Sequence, residues 1–226
     1  MKKNLTFLSI FLCVVFLMPF TALAGSYTID DISFTKAAEV KVELNGSNDP
    51  HSSNVGAFTV SFKEFDDVFT AFCIDPDQPI STGQNQNLPV ELVPVSTVTG
   101  GLEAAWLLQE YGNDMDAGAM QVALWEVVKD TDYDLTSGDF ILTESPDTMR
   151  NLANEYLNNL AANFDADGLD ALFMASKHPE KQDLIYLGTI FGDNTSAVVT
   201  PEPGTMFLLC FGILGLVGLR KKIRKS

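Results

Sequence analysis

The sequence predicts an α+β protein: an antiparallel β-sheet or sandwich-like core with a packed helical segment, carried between an N-terminal signal helix and a C-terminal membrane anchor. Three observations predict it. Apolar and polar residues alternate with period two in segments of residues 25–98. Apolar residues then recur at helical spacing through residues 101–160. Short apolar runs flanked by basic residues stand at both ends of the 226-residue chain.

Residues 1–24 read as a cleavable export signal. Lys2 and Lys3 supply the positive start, Leu5 to Phe20 is nearly all apolar, and Ala22-Leu23-Ala24 is a small-x-small site that places cleavage between Ala24 and Gly25. Glycine rather than cysteine at position 25 gives no indication of lipidation there. From Gly25 to Leu44 two strands are expected, the second with Val40, Val42 and Leu44 alternating against Lys41 and Glu43. A loop follows from Asn45 to Asn54. Phe58, Val60 and Phe62 mark a half-buried strand, Lys63 to Asp67 a turn, and Val68 to Ile74 its hairpin partner. Pro76, Pro79 and the polar stretch Ser81 to Asn87 make a long loop, and Leu88 to Val98 is extended again.

Helices are expected over Gly101 to Tyr111 and Asp116 to Lys129. A third starts at Ser145-Pro146, a cap followed by proline in the first turn, with Met149, Leu152, Ala153, Tyr156, Leu157 and Leu160 as its apolar stripe. Asp183 to Phe191 reads as a final strand. No internal repeat or domain-splitting linker interrupts the chain, so residues 25–193 form one ectodomain and residues 194–200 a linker.

All 30 acidic residues lie between Asp30 and Glu202, with only seven of the 14 basic ones, which leaves that stretch at −23. Such a surface repels phosphate backbones and argues against nucleic acid as a partner. Of three cysteines, Cys13 falls in the export signal and Cys210 in the C-terminal apolar run, so Cys73 is alone in the ectodomain. No disulfide framework is possible within one chain. A lone exported cysteine is buried and inert, paired between chains, or chemically used.

The C-terminus has three parts: Pro201-Glu202-Pro203, an apolar helix over residues 206–219, and the basic tail Arg220 to Ser226. Two prolines around a glutamate block helix and hold the segment extended for a processing enzyme. The apolar run is short for a membrane span, and the basic tail would stay cytoplasmic. In this order the parts resemble the PEP-CTERM sorting signal. The resemblance implies recognition by the membrane enzyme exosortase, cleavage near Pro201-Glu202-Pro203, a membrane-anchored intermediate, and delivery to the outer cell surface or extracellular matrix.

On a helix from Asp116 to Asp130, the residues Asp116, Glu126, Lys129 and Asp130 fall on one side. Ala117, Leu124, Trp125 and Val128 fall on the other, and Gln121 is the polar side chain among them. A buried carboxamide costs free energy unless paired, so an isolated one ordinarily hydrogen-bonds a neighbouring backbone group. Here Phe72-Cys73-Ile74-Asp75 on a strand, and Met120-Gln121-Val122-Ala123-Leu124-Trp125 on a helix after Ala104-Ala105-Trp106-Leu107, resemble bacterial surface thioester domains. The resemblance spans roughly residues 55–130. It implies that Cys73 is the thiol donor, that Gln121 supplies the acyl carbon, and that an internal thioester joins them. It also implies covalent adhesion to a nucleophilic amine on a host surface, neighbouring cell or matrix, with no cofactor, no metal and no turnover as an enzyme. Phe72, Trp106, Leu124 and Trp125 are expected to frame the bond against water, and Asp75 to orient the loop or act on protons.

Other chemistries find less in the chain. A cysteine hydrolase needs a histidine, and only His51 and His178 exist, in a polar loop and beside Pro179. Asp165-x-Asp167-Gly168-x-Asp170 lacks the length and terminal glutamate of an EF-hand and reads as a solvated turn. The competing function is a non-covalent structural or exopolysaccharide-matrix protein on the same export route, in which Trp106 and Trp125 are plain core.

Overall fold

The chain is seen in a computed structural model that describes residues 25–47, 49–112 and 115–188. The export signal, the linker, the Pro201-Glu202-Pro203 site and the anchor at 206–219 lie outside the described residues.

One strand, β1 (Gly25–Leu44), occupies the stretch where two were expected. Register breaks at Ile29/Asp31 and Lys36/Ala38 interrupt its alternation, which is why it reads as two. Irregularities of this kind bend a strand and let it change partners. Gly25 to Ile29 pair with β4 (Leu88–Pro94), Ile29 to Val42 with β2 (His51–Phe62), and Lys41 to Leu44 with β5 (Phe140–Glu144). The other strands are β3 (Val68–Cys73), β6 (Met174–His178) and β7 (Lys181–Tyr186). The sheet runs β2-β3-β7-β6-β4-β1-β5, and β2 also pairs with β1. Six antiparallel strands therefore close on themselves and β5 extends the sheet, more nearly a small barrel than a sandwich.

Several boundaries move. β2 begins inside the expected loop, β4 ends at Pro94 before a short turn of 3-10 helix over Val95–Thr97, and β7 stops at Tyr186. Of the last predicted strand, residues 189–191 lie outside the described residues.

The helices are α1 (Gly101–Tyr111), α2 (Ala117–Lys129), α3 (Asp147–Asn163) and the single turn α4 (Leu169–Leu172). α2 packs on β2 and β3 and touches α1 and α3, so every residue from Gly118 to Val127 is buried. Asp116 caps it by accepting the Ala119 amide at 2.8 Å. Gly100, which precedes α1, has φ +65°, and a Cβ there would stand 2.0 Å from the Val127 carbonyl oxygen of α2, so no larger residue fits. Ser145 does not cap α3. Its Oγ is buried without a hydrogen bond, and Pro146 takes the cap position.

On one face of the sheet Phe62, Phe69 and Tyr186 pack ring to ring, and the Tyr186 hydroxyl satisfies itself on Ser176 Oγ at 2.8 Å. The Asp165–Asp170 stretch is the turn expected of it: Asp165 accepts the Asp167 amide and Asp170 the Ser96 amide. No helix among the described residues is long and apolar enough to cross a membrane.

Candidate functional site

β3 carries Cys73 to a gap in the sheet. The Leu187 amide donates to Thr70 O and the Ile74 amide to Asp183 O, so the even-numbered residues of β3 turn their peptide groups toward β7. The odd-numbered ones face β2. But β2 pairs with β3 only as far as Phe58↔Ala71, and beyond it residues 51–57 pair with β1 alone. The N–H and C=O of Cys73 thus face an edge that β2 has left.

Gln121 fills that edge. Its Oε1 accepts the Cys73 amide at 3.0 Å, and its Nε2 donates to the Cys73 carbonyl at 2.7 Å. The primary amide stands in for the missing strand and satisfies all four polar groups involved. One helical turn further on, Trp125 Nε1 donates to Cys73 Sγ at 3.2 Å. Residues four apart share a helix face, so α2 grips the backbone of Cys73 with one side chain and its sulfur with the next.

This site is dry: Cys73 is 2 %, Gln121 1 % and Trp125 4 % exposed. Burial is the main cause that pushes the Cys73 thiol up to about 12, against the Trp125 indole N–H and the Asp75 backbone amide, both of which favour a thiolate; Asp75 and Asp183 raise it further. At neutral pH the sulfur is a protonated thiol.

The expected pocket residues divide. Leu124 is buried on α2 three residues from Gln121, and Trp106 is buried on α1, which packs against α2. Phe72 is fully buried, but strand alternation sends it to the sheet face opposite Cys73, so it does not frame the sulfur. The Asp75 carboxylate accepts the Asp77 amide at 3.3 Å, and its charge bears on Cys73 by raising the thiol pKa. Tyr111, the last residue of α1, turns to α3, where its hydroxyl accepts from Asn159 and its ring packs on Tyr156. Neither histidine hydrogen-bonds Cys73 among the described residues; His178 Nδ1 accepts the Glu180 amide and His51 is exposed. Among the described residues no three His, Cys, Asp or Glu side chains are grouped to hold a metal.

The helical wheel missed one residue outright. Glu126, expected on the polar side, is fully buried, and neither carboxylate oxygen closes a hydrogen bond. Burial first, then Asp130, Asp132 and Asp134, push it up to about 8, although the Asp134 backbone amide lies near enough to favour the charge somewhat. No periodicity argument shows this, because the loop that covers Glu126 comes later in the chain. The polar cluster Asn45–Asp77–Lys129 was equally invisible, since its members are far apart in sequence.

No curated protein and no solved structure matches the chain. One family model does: residues 199–224 match the PEP-CTERM protein-sorting motif. That match covers the Pro-Glu-Pro site, the apolar run and most of the basic tail. The protein carries a PEP-CTERM sorting motif, and is therefore an exported substrate of exosortase, anchored in the membrane before it is processed.

Proposed function

We propose that the exported domain carries an internal thioester between Cys73 and Gln121, and that it uses this bond once, to attach the cell surface or matrix covalently to a partner bearing a nucleophilic amine. One observation carries the reading: the side-chain amide of Gln121 lies against the backbone of the ectodomain's single cysteine, in a site from which water is excluded.

The chemistry balances with the residues present. Cys73 Sγ attacks the Gln121 carboxamide carbon; the C–S bond forms, the C–N bond breaks, and the thiol proton leaves with Nε2 as ammonia. The Cys73 N–H, already on Oε1, is positioned to stabilise the oxyanion of the tetrahedral intermediate. A protonated thiol is a poor nucleophile, but tethering the Gln121 carboxamide to the backbone of the same cysteine replaces a bimolecular encounter with an intramolecular one. Once acylated, the sulfur carries no charge and its burial costs little. When an amine opens the bond, the C–N bond of the new amide forms, the C–S bond breaks with its electron pair going to sulfur, and the proton released by the amine ends on the sulfur as the Cys73 thiol. The Trp125 indole N–H is the donor that steadies the charge on sulfur as it departs. The domain is consumed, so it is an adhesin rather than an enzyme.

A second reading has an observation of its own. The same pair of hydrogen bonds satisfies Gln121 and Cys73 without any covalent step, as a structural or exopolysaccharide-matrix protein would need. Methylamine separates the two. In the thioester reading, protein recovered after export takes up methylamine at Gln121 and gains a free thiol at Cys73, and Cys73→Ala abolishes the uptake. No methylation of Gln121, with Cys73 recovered as a thiol before treatment, decides for the second.

A further inference from the structure

The segment Ile74 to Pro79 leaves β3 directly after the buried Cys73, and we infer that it is a strap controlling access to the sulfur, held shut by a polar latch of Asn45, Asp77 and Lys129. The inference concerns regulation of the site proposed above and rests on that reading for its biological meaning.

Both ends of the strap are fastened to β7. The Ile74 amide donates to Asp183 O at 2.9 Å, and the Gln182 amide to Pro79 O at 3.4 Å. Between these points the strap folds into a tight turn in which the Gln78 amide reaches Asp75 O and the Asp77 amide reaches the Asp75 carboxylate. The middle is fastened to α2 and to Asn45. Asp77 is ion-paired to Lys129, and its other carboxylate oxygen accepts from Asn45 Nδ2 at 2.9 Å. Lys129 Nζ also donates to Asn45 Oδ1 at 3.3 Å. Asn45 is itself anchored, its amide donating to Asp139 O at 2.7 Å.

Lys129 stands four residues beyond Trp125 and eight beyond Gln121, on the same stripe of α2 that grips Cys73. Its side chain is only 17 % exposed against 44 % or more for the lysines of the three other ion pairs among the described residues, so this pair is the least solvent-screened of those four. Lys129 is the cation that pairs with the middle of the strap, while Lys177 acts on Asp183 at the β7 end. Asp75 and Asp183 both add negative charge around Cys73, and Asp75 also acts against the charge of Asp183, so loss of Lys129 leaves Asp77 as a further uncompensated carboxylate on the strap. Opening the latch frees the middle of the strap while β7 keeps its ends, which is the geometry of a local opening rather than of unfolding.

The test uses the full protein recovered after export, in Lys129→Met and Asp77→Ala variants, with methylamine uptake at Gln121 as readout. Each variant is expected to react about fivefold faster than wild type, the order expected for loss of a partly buried ion pair, and the double variant no faster than the faster single one. Lys41→Met, which breaks the exposed Lys41–Glu144 pair, keeps the wild-type rate. If wild type proves to hold a free thiol, the thioester reading fails but the strap does not, and the same variants are compared by iodoacetamide alkylation of Cys73. Rates equal to wild type in both Lys129→Met and Asp77→Ala overturn the strap. So does an equal acceleration in Lys41→Met, which would mean general loosening.

Discussion

Helix α2 buries two polar side chains five residues apart, and their fates differ completely. Gln121 makes two hydrogen bonds, both to one residue of β3, while Glu126 makes none. One side of the helix meets a strand edge with its peptide groups open, where a neutral amide is the ideal filler. The other lies near a loop carrying Asp130, Asp132 and Asp134, where a carboxyl group finds no cation and its ionisation is resisted. Burial alone therefore does not mark a site. The difference lies in whether the buried group has been given a partner, and Gln121 has been given the backbone of the one cysteine in the domain.

The largest effect should come from breaking the paired side. Gln121→Ala leaves the Cys73 N–H and C=O without partners and opens a void, and should destabilise the domain by about 3 kcal/mol in denaturant titration. A loss below about 1 kcal/mol would mean that the edge of β3 is rescued by water.

The unpaired side should respond with the opposite sign. Because folding raises Glu126 from an ordinary 4.5 to about 8, the folded protein favours its neutral form. Its contribution is fully present below the lower value, falls as pH rises through that window, and levels off above the upper one. Glu126→Gln should remove this decline and stabilise the protein by about 2 kcal/mol at alkaline pH, allowing for screening by nearby water. Stability curves of variant and wild type that stay parallel from acid to alkaline pH would show that Glu126 has a partner.

Smaller effects sharpen the contrast. Trp125→Phe keeps most of the packing but removes the N–H on Cys73 Sγ, and should cost about 1 kcal/mol while slowing the opening of the bond by methylamine. A variant that is destabilised yet reacts at the wild-type rate would reduce Trp125 to packing. Ser145→Ala removes a buried hydroxyl that bonds to nothing, and should change stability by less than about 0.5 kcal/mol.

Both motif residues were legible in the sequence because each broke a local pattern: a glutamine among apolar residues on a helix, and a single cysteine in an exported chain. The long helices were legible from their spacing. What was hidden depends on pairing at a distance. The unity of β1 was masked by its own register breaks, and β5, β6 and α4 are five residues or fewer, too short for periodicity to register. Phe72 was assigned to the sulfur pocket by adjacency in sequence, although on a strand adjacency means the opposite face. Glu126 looked exposed because a helical wheel cannot see a loop that folds back over it. The latch residues span 84 positions, and only the closed sheet brings them together.

The most direct measurement is the intact mass of the folded protein after export, taken before any exposure to amines. A Cys73–Gln121 thioester makes it lighter than the processed sequence requires by one ammonia, about 17 Da, with no thiol available to alkylation. A mass that agrees with the processed sequence, together with a single alkylatable thiol after denaturation, would contradict the bond and leave Gln121 as the plug of a strand edge.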